Sequence, residues 1–153
     1  MAFFVGCGAI FHLKQICIID GQGGGIGATL IKYIRVRYGE TLELIALGTN
    51  AIATAQMLKA RANRGASGSN AIIQTVKQVD VIIGPIGIIM AHAMMGEVTP
   101  AIAEAVSSSP ARKILIPLAR EPIDIVGTTP TPLPRLIETM IQENLQPIIK
   151  SDA

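Results

Sequence analysis

From Gln15 onward, short apolar runs alternate with stretches whose apolar residues recur at helical spacing. QICIID (15–20) is rich in β-branched residues and is closed by a glycine cluster, which predicts a first strand. Behind it Gly27, Leu30, Ile31 and Ile34 fall at i, i+3, i+4 and i+7, so an amphipathic helix is expected from about Ile26 to Arg37, ended by Gly39. LELIALG (42–48) predicts the second strand. Ala51, Ala55, Leu58 and Ala62 mark the inner face of a second helix, entered through Asn50 as its N-cap.

NRGASGSN (63–70) reads as a loop, and AIIQTVKQ behind it fits either a short helix or a strand. The helix is preferred, because VDVIIG (79–84) is a plain third strand that must be reached from the opposite edge of the sheet. Thr99-Pro100 starts a helix that runs to SSSP at 107–110, with Pro at the first position where its missing N–H costs nothing. KILIPL (113–118) and IDIVGT (123–128) predict strands four and five. Only AREP separates them, while a parallel crossover needs about a dozen residues, so the last strand is expected to be antiparallel. PLPRLIETMIQENL supplies a closing helix. The expectation is one α/β domain over residues 15–150, a doubly wound, mostly parallel five-stranded sheet of the Rossmann-like kind.

Composition agrees with this pattern. Half of the 153 residues are apolar, 25 of them Ile, and only 16% are charged, against about 25% in an ordinary soluble domain. That suits strands buried on both faces and excludes disorder. A net charge of +2 and 3% aromatics offer neither the field nor the stacking platform for nucleic acid. Residues 1–14 read as an extension ahead of the domain, with a start further into the chain as the alternative. The apolar MAFFVGCGAIFHL has no Lys or Arg before Lys14, so it lacks the basic region of a signal peptide. It is also shorter than the roughly 20 apolar residues of a membrane span. The cytoplasm is the expected compartment. Cys7, Cys17, His12 and His92 share no metal-ligand spacing, so no metal is expected; Cys17, inside a strand, reads as a small core residue. The surplus of apolar residues, with Phe3, Phe4 and Phe11 in the extension and IGIIMAHAMMG at 86–96, predicts a homodimer.

The chemistry concentrates in Asp20-Gly21-Gln22-Gly23-Gly24-Gly25-Ile26-Gly27, between the first strand and the first helix. Gly21-x-x-x-Gly25-x-Gly27 and Gly23-x-Gly25-x-x-Ala28 both fit nucleotide-binding spacings. Glycines let the backbone approach closely, so that N–H groups and a helix N-terminus can hold a phosphate. No Gly-Lys-Ser/Thr follows, which excludes a Walker-type loop. Gly21 to Gly27 are therefore expected to bind a phosphate-bearing nucleotide or dinucleotide, NAD(P) among the candidates; the alternative is a tight turn that binds nothing. A dinucleotide site wants an acid at the end of the second strand. LGTN stands there instead, leaving Thr49 and Asn50 to meet a ribose, or Asn50 simply to cap its helix. Gly84 and Gly87, after the third strand, would let a ligand pass, or are turn residues. His92 and Glu97, five positions apart, are the weak candidates for an acid–base pair. Lys32, Arg35 and Arg37 read as the solvated, dipole-favoured end of the first helix.

With IDGQGGGIG, LGTNAIATAQMLKA, RGASGSNAI, VDVIIGPIGI, MMGEVTP and KILIP, residues 15–127 resemble a small bacterial family known only as a domain of unknown function. The resemblance implies a Rossmann-like fold and no assigned activity. Short-chain dehydrogenases share the glycine spacing alone; their Tyr-x-x-x-Lys is missing, since Arg37 follows Tyr33 and Leu42 follows Tyr38 at that distance. Three functions remain in play: a nucleotide-binding module, a small enzyme on a phosphorylated or carboxylated metabolite using His92 and Glu97, and an interaction protein whose glycine loop is purely structural.

Overall fold

The computed structural model describes residues 12–151; Phe3, Phe4 and Phe11 of the extension lie outside them. The chain forms β1 (Gln15–Asp20), α1 (Gly25–Tyr38), β2 (Glu43–Gly48), α2 (Ala51–Lys59), β3 (Arg64–Ser67), α3 (Ser69–Thr75), β4 (Val81–Pro85), a 3₁₀ turn (Ile86–Ile89), α4 (Pro100–Ser108) and β5 (Arg112–Ile116). A helical run closes it: α5 (Leu133–Thr139), a π-helical turn (Met140–Leu145) and α6 (Gln146–Lys150). The π turn lies just ahead of Pro147, which has no N–H to donate back along the helix.

The sheet order is β3-β2-β1-β4-β5 and every pairing is parallel. Alternation along the strands loads both faces. Ile16, Ile18, Leu44, Ala46, Val81 and Ile83 face α1, α2 and the C-terminal helices, whose Leu30, Ile31, Ile34, Met57, Ile137 and Leu145 complete one core. Cys17, Ile19, Ile45, Leu47 and Ile82 face the other way, onto Ile72, Val76, Ile102 and Val106 of α3 and its end and of α4. Cys17 is the buried core residue its setting implied, and burial pushes its thiol up, away from a reactive thiolate.

Two expectations are corrected. The fifth strand is not IDIVGT, and the sheet has no antiparallel member. Residues 123–128 bond locally, Ile123 N–H to Glu121 O and Thr128 N–H to Ile125 O, and Ile123 and Val126 stay exposed, so the segment has neither a ladder nor a face to bury. The missing strand is β3, inside the expected loop. Its four exposed residues, RGAS, lie on the sheet edge under α2, where a Cβ on Gly65 would stand 3.0 Å from Ala46 O and 3.1 Å from Thr54 Cγ2. That close approach selects small residues, which carry no hydrophobic signal. The ambiguous stretch after it is helical, as α3.

Strand order reverses between β1 and β4: α1 carries the chain from β1 to β2 on one side, and α3 brings it back to β4 on the other. The loops leaving β1 and β4 therefore diverge, opening a crevice at their carboxyl ends.

Candidate functional site

That crevice is a cleft of about 350 Å³ lined by Asp20 and the whole run from Gly21 to Ile26, by Pro85 and Gly87 after β4, by Met94 and Met95, and by Leu118 to Glu121 after β5.

The glycine loop is built around Asp20, the last residue of β1. Its carboxylate accepts the N–H of Gly21 and that of Gly27, both at 2.8 Å, so it closes the loop on itself from beneath. Burial pushes this carboxyl up, and the charge of Glu97 pushes the same way, while the N–H groups of Gly27 and Gly21 oppose both.

The glycines do different jobs. Gly24 sits at φ +71°, and a Cβ there would stand 2.7 Å from Cα of Ala53; α2 is packed against it. A side chain at Gly27 would meet Met57 Sδ and Asp20 Cβ. Gly23 and Gly25 differ: neither needs a left-handed backbone, and a Cβ on either would meet nothing within 4 Å, although both line the cleft. Among the described residues no acceptor bonds the N–H of Gly23 or Gly25, whereas those of Gly21, Gln22, Gly24 and Gly27 are taken up inside the protein.

Glu97 fixes the loop from the side. One of its carboxylate oxygens accepts Gln22 N–H at 3.1 Å, Thr49 Oγ1–H at 2.8 Å and Asn50 Nδ2–H at 2.5 Å. Asn50 Nδ2 also donates to Gln22 O at 3.0 Å, and its Oδ1 accepts Ala53 N–H as the N-cap of α2. Burial alone would raise the Glu97 carboxyl, but the bonds from Asn50, Thr49 and Gln22 outweigh it and hold it below its ordinary value. Gln22 is thereby pinned with φ +48°. Glu121 reaches back from the far rim to accept Met94 N–H at 3.1 Å, a bond that holds its carboxyl below its ordinary value.

Gly21 to Ile26 line the cleft, whereas Gly27, also expected to meet the ligand, is packed against Met57 and bonds Asp20. Thr49 and Asn50 are not at the cleft surface; they hold the loop through Glu97. Gly84 is inside the sheet, where a Cβ would stand against Ile19 O, and Pro85 and Gly87 line the cleft in its stead. His92 is exposed, at φ +67°, and does not line the cleft. No hydrogen bond or ion pair joins it to Glu97, whose carboxylate is engaged by three donors, so the two form no acid–base pair. Sequence reasoning missed Asp20, Met94, Met95 and the rim from Leu118 to Glu121. Asp20 alone carried a signal, as an acid ending an otherwise apolar strand.

Among the described residues no helix is long and apolar enough to cross a membrane, and no three His, Cys, Asp or Glu side chains gather as a metal site. No curated protein matches the chain. Among solved structures, the chain is similar to a dodecameric FMN-dependent UbiX-like decarboxylase from Escherichia coli O157:H7, with 15% identity and a TM-score of 0.47 over 89% of this chain and 94% of that one. The family model described as "Domain of unknown function (DUF3842)" matches residues 15–149, nearly the whole described fold, and the chain belongs to that family.

Proposed function

We propose that this protein is a nucleotide-binding module that holds the phosphate of its ligand on the glycine loop. One observation carries the reading: Gly23 and Gly25 line the cleft, need glycine for no packing or backbone reason, and keep N–H groups without an acceptor among the described residues. Such a position is explained by a ligand that must approach the backbone more closely than a Cβ allows. The start of α1 adds the positive end of its macrodipole, Arg120 stands on the rim, and Ile26, Pro85, Met94, Met95 and Leu118 provide an apolar wall.

Calorimetric titration of a nucleotide panel against the wild type, Gly23→Ala and Gly25→Ala tests the reading. The expected result is a phosphate-dependent affinity that drops at least tenfold in each variant while the melting temperature holds. Binding that ignores both substitutions would sink it. We also assign the module a two-fold dimer, supported by Val36, Ile52 and Leu58, apolar residues exposed on the outer faces of α1 and α2.

A further inference from the structure

We infer that the cleft takes a mononucleotide-class ligand, an aromatic ring system carrying one terminal phosphate, and that Glu97 closes the site to dinucleotides. This rests on the phosphate reading of Gly23 and Gly25 and specifies the ligand further.

A dinucleotide lies across both sides of the crevice, with one nucleoside over the end of β2, where an acid receives its ribose hydroxyls. Here the acid arrives from the other side. Glu97, in the segment after β4, reaches the end of β2, and Thr49, Asn50 and Gln22 all donate to it. The oxygen that reaches that side, Oε1, is taken up by these protein donors. Asn50 adds a second tie to Gln22 O, so the first turn of the loop is sewn to the end of β2. None of Glu97, Thr49 and Asn50 lines the cleft, which runs only over β1, β4 and β5. That leaves the cleft of about 350 Å³ beside β1, β4 and β5 for one nucleoside and its phosphate.

The lining matches the two ends of such a ligand. Gly23 and Gly25 offer free N–H donors at one end. Met94 and Met95 stand on the wall, and thioethers make favourable contacts with aromatic rings. Both hold left-handed backbones, at φ +57° and +58°, a strained arrangement that side chains rarely adopt and that is enriched at ligand sites. Charge limits the phosphate count. Asp20 and Glu121 line the cleft against Arg120, its one lining cation among the described residues, so a di- or triphosphate chain would meet like charge.

The test is competitive calorimetry on the full chain with AMP, GMP, UMP and FMN, their dephosphorylated nucleosides, ADP and NAD. At least one monophosphate should bind tenfold or more tighter than its nucleoside, than ADP and than NAD. Glu97→Ala, which cuts the three ties made through that carboxylate, should narrow the gap to NAD at least threefold. NAD or ADP binding within tenfold of the best monophosphate would overturn this inference and leave the phosphate reading standing. No phosphate-dependent binding by any probe would overturn both. An unchanged preference in folded Glu97→Ala would overturn the role given to Glu97, and the wild-type panel decides the ligand class even where that variant fails to fold.

Discussion

Gly23, Gly24 and Gly25 are three identical letters with different physical demands. Gly24→Ala would place a methyl against the backbone of α2 and hold it in a left-handed conformation, a combination expected to cost about 2–3 kcal/mol. Gly25→Ala, at the first position of α1 with open space around it, should leave stability unchanged or raise it by up to about 1 kcal/mol. Urea denaturation of the two variants checks the contrast; equal losses would mean the loop packs otherwise. Glu97 is the other residue whose role depends on its surroundings. Its folded carboxyl titrates below the ordinary glutamate value near 4.5, so the stability it contributes is complete above that value and is lost as the pH falls through the lowered one. Asp20 works in the opposite sense: its raised carboxyl contributes fully below the ordinary aspartate value near 3.8 and loses that contribution as the pH rises through the folded one. Glu97→Gln should lower stability at pH 7 by about 2 kcal/mol, through weaker hydrogen bonds, and flatten the decline as the pH falls below about 4.5. A decline as steep as in the wild type would contradict this. No pattern in the sequence joins Glu97 to Gln22, 75 positions away; only the fold brings them to 3.1 Å.

Where elements meet, buried polar side chains do work that periodicity does not reveal. Arg35 was expected to be a solvated cation at the end of α1, yet it is buried and each of its three guanidinium nitrogens has an acceptor. It donates to Arg61 O, Gly39 O, Leu42 O and Asn63 Oδ1, with an ion pair to Glu40 at 3.5 Å. Asn63 Oδ1 also accepts Leu44 N–H, so one cluster fastens the end of α1 to the start of β2 and the exit of α2. Arg35→Ala would leave several carbonyls without partners and is expected to cost about 3 kcal/mol. Arg35→Lys should recover little, since an ammonium cannot reproduce the planar fork. Chemical denaturation distinguishes this from a surface site, where the loss would be within about 0.5 kcal/mol. The central strands and α1 were legible because burial imposes their periods directly; on α2 the expected inner face of Ala51, Ala55 and Leu58 is exposed, and Ala53, Thr54 and Met57 are buried instead. β3 and the 123–128 segment were misread for one reason: β-branched content reports burial, and here the true strand is an exposed edge of small residues while the false one is an exposed loop rich in Ile and Val.

For the whole molecule, Val36 and Ile52 stand exposed on α1 and α2, and the proposed dimer would cover them. Light scattering at micromolar concentration should read twice the 16.1 kDa chain mass, and a single-chain mass would remove the dimer. Val36→Glu together with Ile52→Glu should dissociate it with little effect on folding, because neither side chain is in the core. The alternation of apolar runs and amphipathic stretches already determined an α/β domain with its glycine loop between the first strand and helix, since each of these is encoded by neighbours in the chain. Which glycines face the cleft, that Asp20 lies beneath them, that Glu97 reaches across to Thr49 and Asn50 at the end of β2, and that His92 stands apart were settled by packing. Those facts depend on contacts between residues tens of positions apart, and such contacts leave no periodic trace in a single sequence.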